Sequence, residues 1–429
     1  MKCFYLAILL HAMTLALGLY AGEKDEQLVA SSPNLSHLAS ALVASENTTV
    51  AALFDVGNLN FHAAPDPTPL LLNMHRRNQG QLQGPSTSLS VLSFNVALLE
   101  AKAFGLITLI QSPYVEERRP HLPALLLRRG YDVLLLQEVW SADVARFQAA
   151  AERFGYHSFL GPRGKYDDGL LVLVKKTTFP DVTNARVTAT NYSSQFLIEY
   201  LPGFWVKRGF LRVSLRHKDI GVVHLYDTHL QSFRGHWQER MNQARELGNN
   251  IRDVASDNDI VIVGGDMNAG PYYRDDTWLT PNGKAEGDWW KNAVSYPVLL
   301  HYADLTDLVI MGLPSEHADA DVTLGNRVVN NPALATTHPG AEPDWCNNTP
   351  SIIFTATDCN SMNFQQYAGI EYPARQDHLF ARDPMRRIRV TASGLAFTDK
   401  ILFGPKVRIE PSDHYAAYAR LEIQNTESH

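Results

Sequence analysis

Where apolar runs in this chain stop, residues able to hold a cation or move a proton take over. VIVGGDMNAGP (residues 261–271) sets Asp266 and Asn268 two apart, LSVLSFN ends in Asn95, and VLLLQE ends in Glu138. DTHLQ contributes His229, QDHLF contributes Asp377, and SDHY contributes Asp413 and His414. The period of two along an extended chain turns Asp266 and Asn268 to one side. A carboxylate beside a carboxamide holds a water, a hard cation or a phosphate oxygen. Each residue alone has an ordinary explanation: an Asx turn at 266–268, a strand-terminal acid at Glu138, a satisfied buried histidine at His229. Their common placement at strand ends, where rigid sheets carry active sites, argues for one centre.

The elements that must position these groups follow in chain order. Met1 to Ala21 reads as a signal peptide, with Lys2 ahead of an apolar run too short for a bilayer span. Its loss takes the 38 basic residues to 37 against 45 acidic ones, a net charge of −8. Such a surface disfavours sequence-independent binding to a polyanion. A secreted protein is expected, and Cys346 and Cys359, left as a pair once Cys3 departs, are expected to form a disulfide. That bridge would contribute roughly 3 kcal/mol through chain entropy. Asn34, Asn47, Asn191 and Asn347 each begin a glycosylation sequon.

Residues 22–87 read as an N-terminal extension and linker, ending in RRNQGQLQGPSTS. A single domain is expected over 88–429, with regular structure from Leu89. PHLPALLLRRG is helical and closed by Gly130, and SADVARFQAAAERFG is a helix from Ser141 to Gly155. KYDDGLLVLVKK is a turn feeding a strand, and KRGFLRVSLRH with GVVHLYDTHLQ forms a hairpin. A long amphipathic helix spans Trp237 to Val254. The buried strand after it is expected to bend at Gly264-Gly265 and approach a ligand. Residues 272–375 read as an irregular insertion. DHLFAR, IRVTAS, KILFG and a last strand opening at Asp413-His414 complete a layered α/β pattern.

In this order FNV, LQEVW, DTHLQ, GGDMNAGP, QDHLF and SDHY resemble the motifs of the endonuclease/exonuclease/phosphatase (DNase I-like) superfamily, over about residues 89–423. FNVALL, YDVLLLQEVWS, DDGLLVLVKK and the spacing from KRGFLRV to DTHLQ resemble secreted or neutral sphingomyelinases most. The resemblance implies a four-layer α/β sandwich, with two packed mixed β-sheets flanked by helices, and metal-dependent phosphodiester hydrolysis. It makes Glu138 the chief ligand of Mg²⁺ (Mn²⁺ or Co²⁺ as substitutes), with Asn95 helping and Asp413 near. It makes His414 the base, oriented by Asp377, and Asp266 the group that positions the attacking water. Asn268 and His229 would contact the phosphate as charge builds on it. The chain departs from the family at Asp227, usually Asn, and at His378, usually Tyr, while Asp168 matches an acidic step that a turn explains equally well.

The superfamily fixes phosphoester chemistry and leaves the substrate open. LIEYLPGFWVKRG brings Leu201, Phe204 and Trp205 next to Lys207 and Arg208, and GDWWKN adds Trp289 and Trp290. Aromatics beside cations suit a phospholipid membrane surface, so sphingomyelin is the expected substrate. A secreted nuclease is the competing enzyme and would need arginines along a phosphate groove, for which Arg386, Arg387 and Arg389 are the late cluster. An inositol-phosphate phosphatase ranks third, and a catalytically inert binding protein fourth.

Overall fold

The computed structural model describes residues 78, 82, 84–103, 107–161, 167–195, 200–201, 204–232, 234–270, 295–312, 362 and 375–426. All lie in the unit Asn60–His429. The expected signal peptide, the cysteine pair, the Trp289-Trp290 pair and the sequons at Asn34, Asn47 and Asn347 fall outside the described residues.

The chain runs through β1 (Ser86–Asn95), the hairpin β2 (Glu100–Ala103) and β3 (Ile107–Gln111), and short helices α1 (Val115–Arg118) and α2 (Leu122–Leu127). Then come β4 (Val133–Gln137), α3 (Ser141–Arg153), β5 (Tyr156–Phe159), β6 (Leu171–Lys175) and β7 (Arg186–Asn191). A short ladder of β8 (Tyr200–Leu201) and β9 (Phe204–Trp205) precedes the hairpin β10 (Gly209–His217) and β11 (Gly221–His229). The helix α4 (Trp237–Val254) leads to β12 (Ile260–Asp266), α5 (Ser295–Ala303), β13 (Thr306–Asp307) and α6 (Leu308–Met311). The last part is strand: β14 (Asp377–Arg382), β15 (Ile388–Ala396), β16 (Ile401–Phe403), β17 (Val407–Ile409) and β18 (Ala416–Gln424).

Twelve of these strands make two six-stranded mixed sheets, ordered β15-β18-β1-β4-β6-β5 and β13-β14-β12-β11-β10-β7. Sequence alternation decides which faces meet. Leu92, Phe94, Leu134, Leu136, Leu171 and Leu173 pack with Leu122, Leu126 and Phe147 of α2 and α3. The intervening residues turn to the other sheet, where Ser93 and Leu135 lie against Gly264 of β12. Gly264 therefore serves contact between layers: a Cβ there would sit 2.5 Å from Leu135 Cδ1. At Gly265 the same atom would sit 2.1 Å from the Thr228 carbonyl oxygen. The glycine pair lies within the strand, so close packing replaces the bend expected from the sequence.

Three boundaries also move. β1 opens at Ser86, and Asn78, inside the expected linker, donates to Met311 O and Val390 O and accepts from Val390 N. Residues 295–312, read as irregular insertion, build α5, β13 and α6, with β13 paired to β14. The last strand begins at Ala416, which leaves Asp413 and His414 in the loop ahead of it.

Candidate active site

Register puts the second sheet's polar residues in one row. His229 of β11 lies opposite Asp266 of β12, and Asp266 lies opposite Asp377 of β14. In the first sheet Asn95 lies opposite Gln137, and Glu138 follows directly. Because the odd residues of β1 face the second sheet, Asn95 meets Asp266, donating from Nδ2 to Oδ2 at 2.9 Å. The same nitrogen lies 3.2 Å from Glu138 Oε1. Glu138 (φ 60°), Asn268 (φ 47°) and Ala97 (φ 47°) are all left-handed without being glycine. Such conformations cost about 1–2 kcal/mol each and gather where function demands a particular side-chain direction.

His414 enters this row from the loop before β18. Its Nδ1 lies 2.7 Å from Asp377 Oδ2, and its Nε2 lies 3.9 Å from Asp266 Oδ2. His229 Nε2 approaches the same Asp266 oxygen at 3.4 Å. Burial alone would lower His414, but the Asp377 and Asp266 carboxylates outweigh it and hold the imidazole well above its ordinary pKa. Burial and then the Arg208 charge hold His229 well below the ordinary value. The two histidines around this single carboxylate are thus shifted in opposite directions. Burial would raise Asp266, yet the two histidines bring it below the ordinary range. Asn268 donates its backbone N–H to Asp266 Oδ1 at 2.9 Å and its Nδ2 to Leu230 O at 3.1 Å. The Asx turn at 266–268 is therefore present, with Asp266 at the centre of the row.

The donor set fits a hard divalent cation at Glu138. Burial, followed by the nearby Asp413 charge, raises the Glu138 carboxyl to about 7. Two crowded oxygen donors with insufficient positive charge are what Mg²⁺-type ions satisfy. The other acidic grouping, Asp266, Asp377 and His414, has ligand atoms within 4.8 Å of one another. We read it as a proton network, since the His414–Asp377 contact at 2.7 Å is already a hydrogen bond. Asn95 Oδ1 accepts from Ala97 N at 3.0 Å, and its nitrogen faces both carboxylates. In this geometry it bridges Glu138 and Asp266, and its oxygen keeps a second lone pair for an ion.

The remaining candidates divide. Asp168 accepts from Leu170 N at 3.0 Å, the turn role, and its charge reaches Asp227. Lys207 is half-buried and its backbone N–H donates to Asp167 O at 3.0 Å. Phe204 and Trp205 form β9, and their side chains lie outside the described ones. Arg208, read from the sequence as a cationic neighbour of the apolar loop, is buried, donates to Ser232 Oγ at 3.0 Å, and exerts its charge on both Glu138 and His229. The hairpin register carries its signal, because Gly209 lies opposite His229. Arg387 is spent on the carbonyls of Ile220, Asn258 and Gln424, and Arg389 pairs with Glu422. Two of the three arginines of that late cluster are thus committed to partners within the fold.

The two sheets close over a row of acids and histidines, and the Endonuclease/Exonuclease/phosphatase family profile, which points to a hydrolase acting on phosphodiester bonds, matches residues 92–414. The chain belongs to that family, whose members generally depend on a divalent metal. The inositol phosphosphingolipids phospholipase C of Schizosaccharomyces pombe (strain 972 / ATCC 24843) is 26% identical over 219 residues, 47% of this chain and 46% of that protein. The match spans about half the length of this curated relative. Among solved structures, Danio rerio TDP2 complexed with a single-stranded DNA product is 17% identical, with a TM-score of 0.48, covering 78% of this chain and 99% of that one. SmcL is 16% identical, with a TM-score of 0.47, covering 78% and 98%.

Proposed function

We propose that this chain is a secreted, Mg²⁺-dependent sphingolipid phosphodiesterase of the phospholipase C type, cleaving sphingomyelin to ceramide and phosphocholine. The observation that carries the hydrolytic part is the His414–Asp377 pair set beside Asp266 and facing Glu138. The curated relative, a phospholipase C acting on inositol phosphosphingolipids, supports the lipid class.

In this reading water attacks phosphorus, its proton passes to His414 Nε2, and the bond from phosphorus to the ceramide oxygen breaks. The ceramide alkoxide takes a proton from solvent water, His414 returns the one it received to solvent, and phosphocholine departs. In the same reading Asp266 would orient the water, Asp377 would fix the imidazole, and Asn268, His229 and Arg208 would contact the phosphoryl oxygens. When bound by Glu138 and Asp413, Mg²⁺ would neutralise phosphoryl charge and offset the carboxylate field that keeps a proton on His414.

The test offers purified mature protein three substrates: sphingomyelin vesicles, inositol phosphosphingolipid vesicles and plasmid DNA, each with Mg²⁺ and with chelator. Metal-dependent release of phosphocholine supports the reading. Turnover of only the inositol lipid moves the headgroup; nicked DNA with intact lipid overturns the substrate class. Recovery of the cleaved chain from the culture medium tests secretion.

A further inference from the structure

Arg118, the last residue of α1, is 0% exposed and pairs with no carboxylate among the described residues. Its donors go to backbone carbonyls instead. Nη1 donates to Val96 O at 2.9 Å and to Pro411 O at 2.8 Å, Nη2 donates to Ala97 O, and Nε donates to Pro113 O at 3.1 Å. Apart from Pro113, in the turn ahead of α1, these carbonyls belong to two loops with different duties. Val96 and Ala97 directly follow Asn95, and Pro411 lies two residues before Asp413 and three before His414.

We propose that Arg118 is a positioning residue for hydrolysis, clamping the loop after Asn95 to the loop that carries Asp413 and His414, and so fixing His414 against Asp266. The inference rests on the active-site reading above. Ser412 Oγ reinforces the same junction, donating to Asn95 O at 2.7 Å. Loop carbonyls at a buried junction have no strand partner, and one planar guanidinium satisfies several at once.

The alternative is that Arg118 merely fills space. Energetics weigh against that, because a buried cation without a carboxylate partner carries a large desolvation cost. Burial brings its pKa down to about 10, with Asp413 and then Glu138 pulling upward. The guanidinium therefore also lies behind the two acids proposed to hold the metal. A lysine would keep the charge but could not span carbonyls on both loops from one point.

The experiment compares wild type, Arg118→Lys and Arg118→Ala of the full mature chain by steady-state kinetics and by hydrogen exchange of segments 95–98 and 411–414. Expected in the variant that folds is a fall in kcat of about a hundredfold with KM little changed, since small misplacements of reacting groups cost that much. Exchange should rise in both segments together, and added methylguanidinium should restore part of the kcat of Arg118→Ala. If that variant does not fold, Arg118→Lys decides, with loosened loops and low kcat supporting the clamp. Wild-type kcat, or protected loops, in a folded variant overturns it. Should the wild-type protein cleave no offered substrate, the functional reading fails, and the exchange comparison still decides the clamp.

Discussion

Gln137 Nε2 donates to Asp227 Oδ1 at 2.6 Å across the space between the two sheets. Both side chains are fully buried, and Leu171 N donates to the other Asp227 oxygen at 3.2 Å. Gln137 immediately precedes Glu138, and Asp227 lies two residues before His229. The departure from the family's usual asparagine is thus a joint between the layers, directly beneath the site.

Asp227→Ala should therefore destabilise the fold by about 2–4 kcal/mol, because it strands two buried donors. Urea denaturation reads this as a lower midpoint at unchanged slope. A loss under about 0.5 kcal/mol, the range of an ordinary surface substitution, would remove Asp227 from this role.

His414→Ala should abolish turnover and leave the thermal midpoint close to wild type. Asp377→Asn should cost about 10²–10⁴ in kcat, the usual range for losing the orienter or a positioned base. Asp377 is the largest influence raising His414, so its neutralisation lowers the histidine's pKa. The acid limb of the profile of kcat/KM against pH should then move to lower pH. A limb that stays in place would mean His414 is not the titrating base.

Metal binding should release protons, because Glu138 titrates at about 7 without an ion. Affinity for Mg²⁺ is expected to climb as pH rises towards that value and to level off above it. Calorimetry in two buffers of different ionisation heat measures the release. Glu138→Gln should bind more weakly and release fewer protons; an unchanged release rules out Glu138 as the ligand.

Stability should decline towards acid pH in two stages that originate behind the site. Asp307 pairs with Arg375 at 2.7 Å, accepts from Tyr296 Oη at 2.8 Å and lies 3.6 Å from His378 Nδ1. Burial opposes ionisation of Asp307, but Arg375 and His378 hold its carboxyl far below the ordinary range. Its contribution is present above the unfolded value of about 3.9 and fades as pH falls below it. Burial and then Arg375 lower His378, whose contribution is present above about 6.5 and fades below that. Thermal midpoints between pH 8 and 3 should show both declines. His378→Gln should flatten the upper one, and an unaltered slope would count against the assignment.

Much of this was legible locally. The apolar runs that end at Asn95, Glu138, His229 and Asp266, and the one that Asp377 opens, are strands because burial on both faces selects continuous β-branched and leucine segments. α4 was visible to the residue, since its apolar stripe repeats with helical period. What stayed hidden depends on partners remote in sequence. Nothing near Arg118 announces Pro411, and nothing near Gln137 announces Asp227. Gly264 looked like a hinge because its neighbour across the layers, Leu135, lies far away along the chain. β13 escaped notice because a two-residue strand carries no periodicity.

Asn95 and Glu138 stem from one sheet, while His229, Asp266 and Asp377 stem from the other, with His414 leaning across from the first to reach Asp377. The reaction centre is accordingly a seam, owned by neither half. Warming or mild denaturant that lets the halves slide should silence hydrolysis while most of the circular dichroism survives. Catalysis in this molecule doubles as a gauge of how tightly its layers are docked.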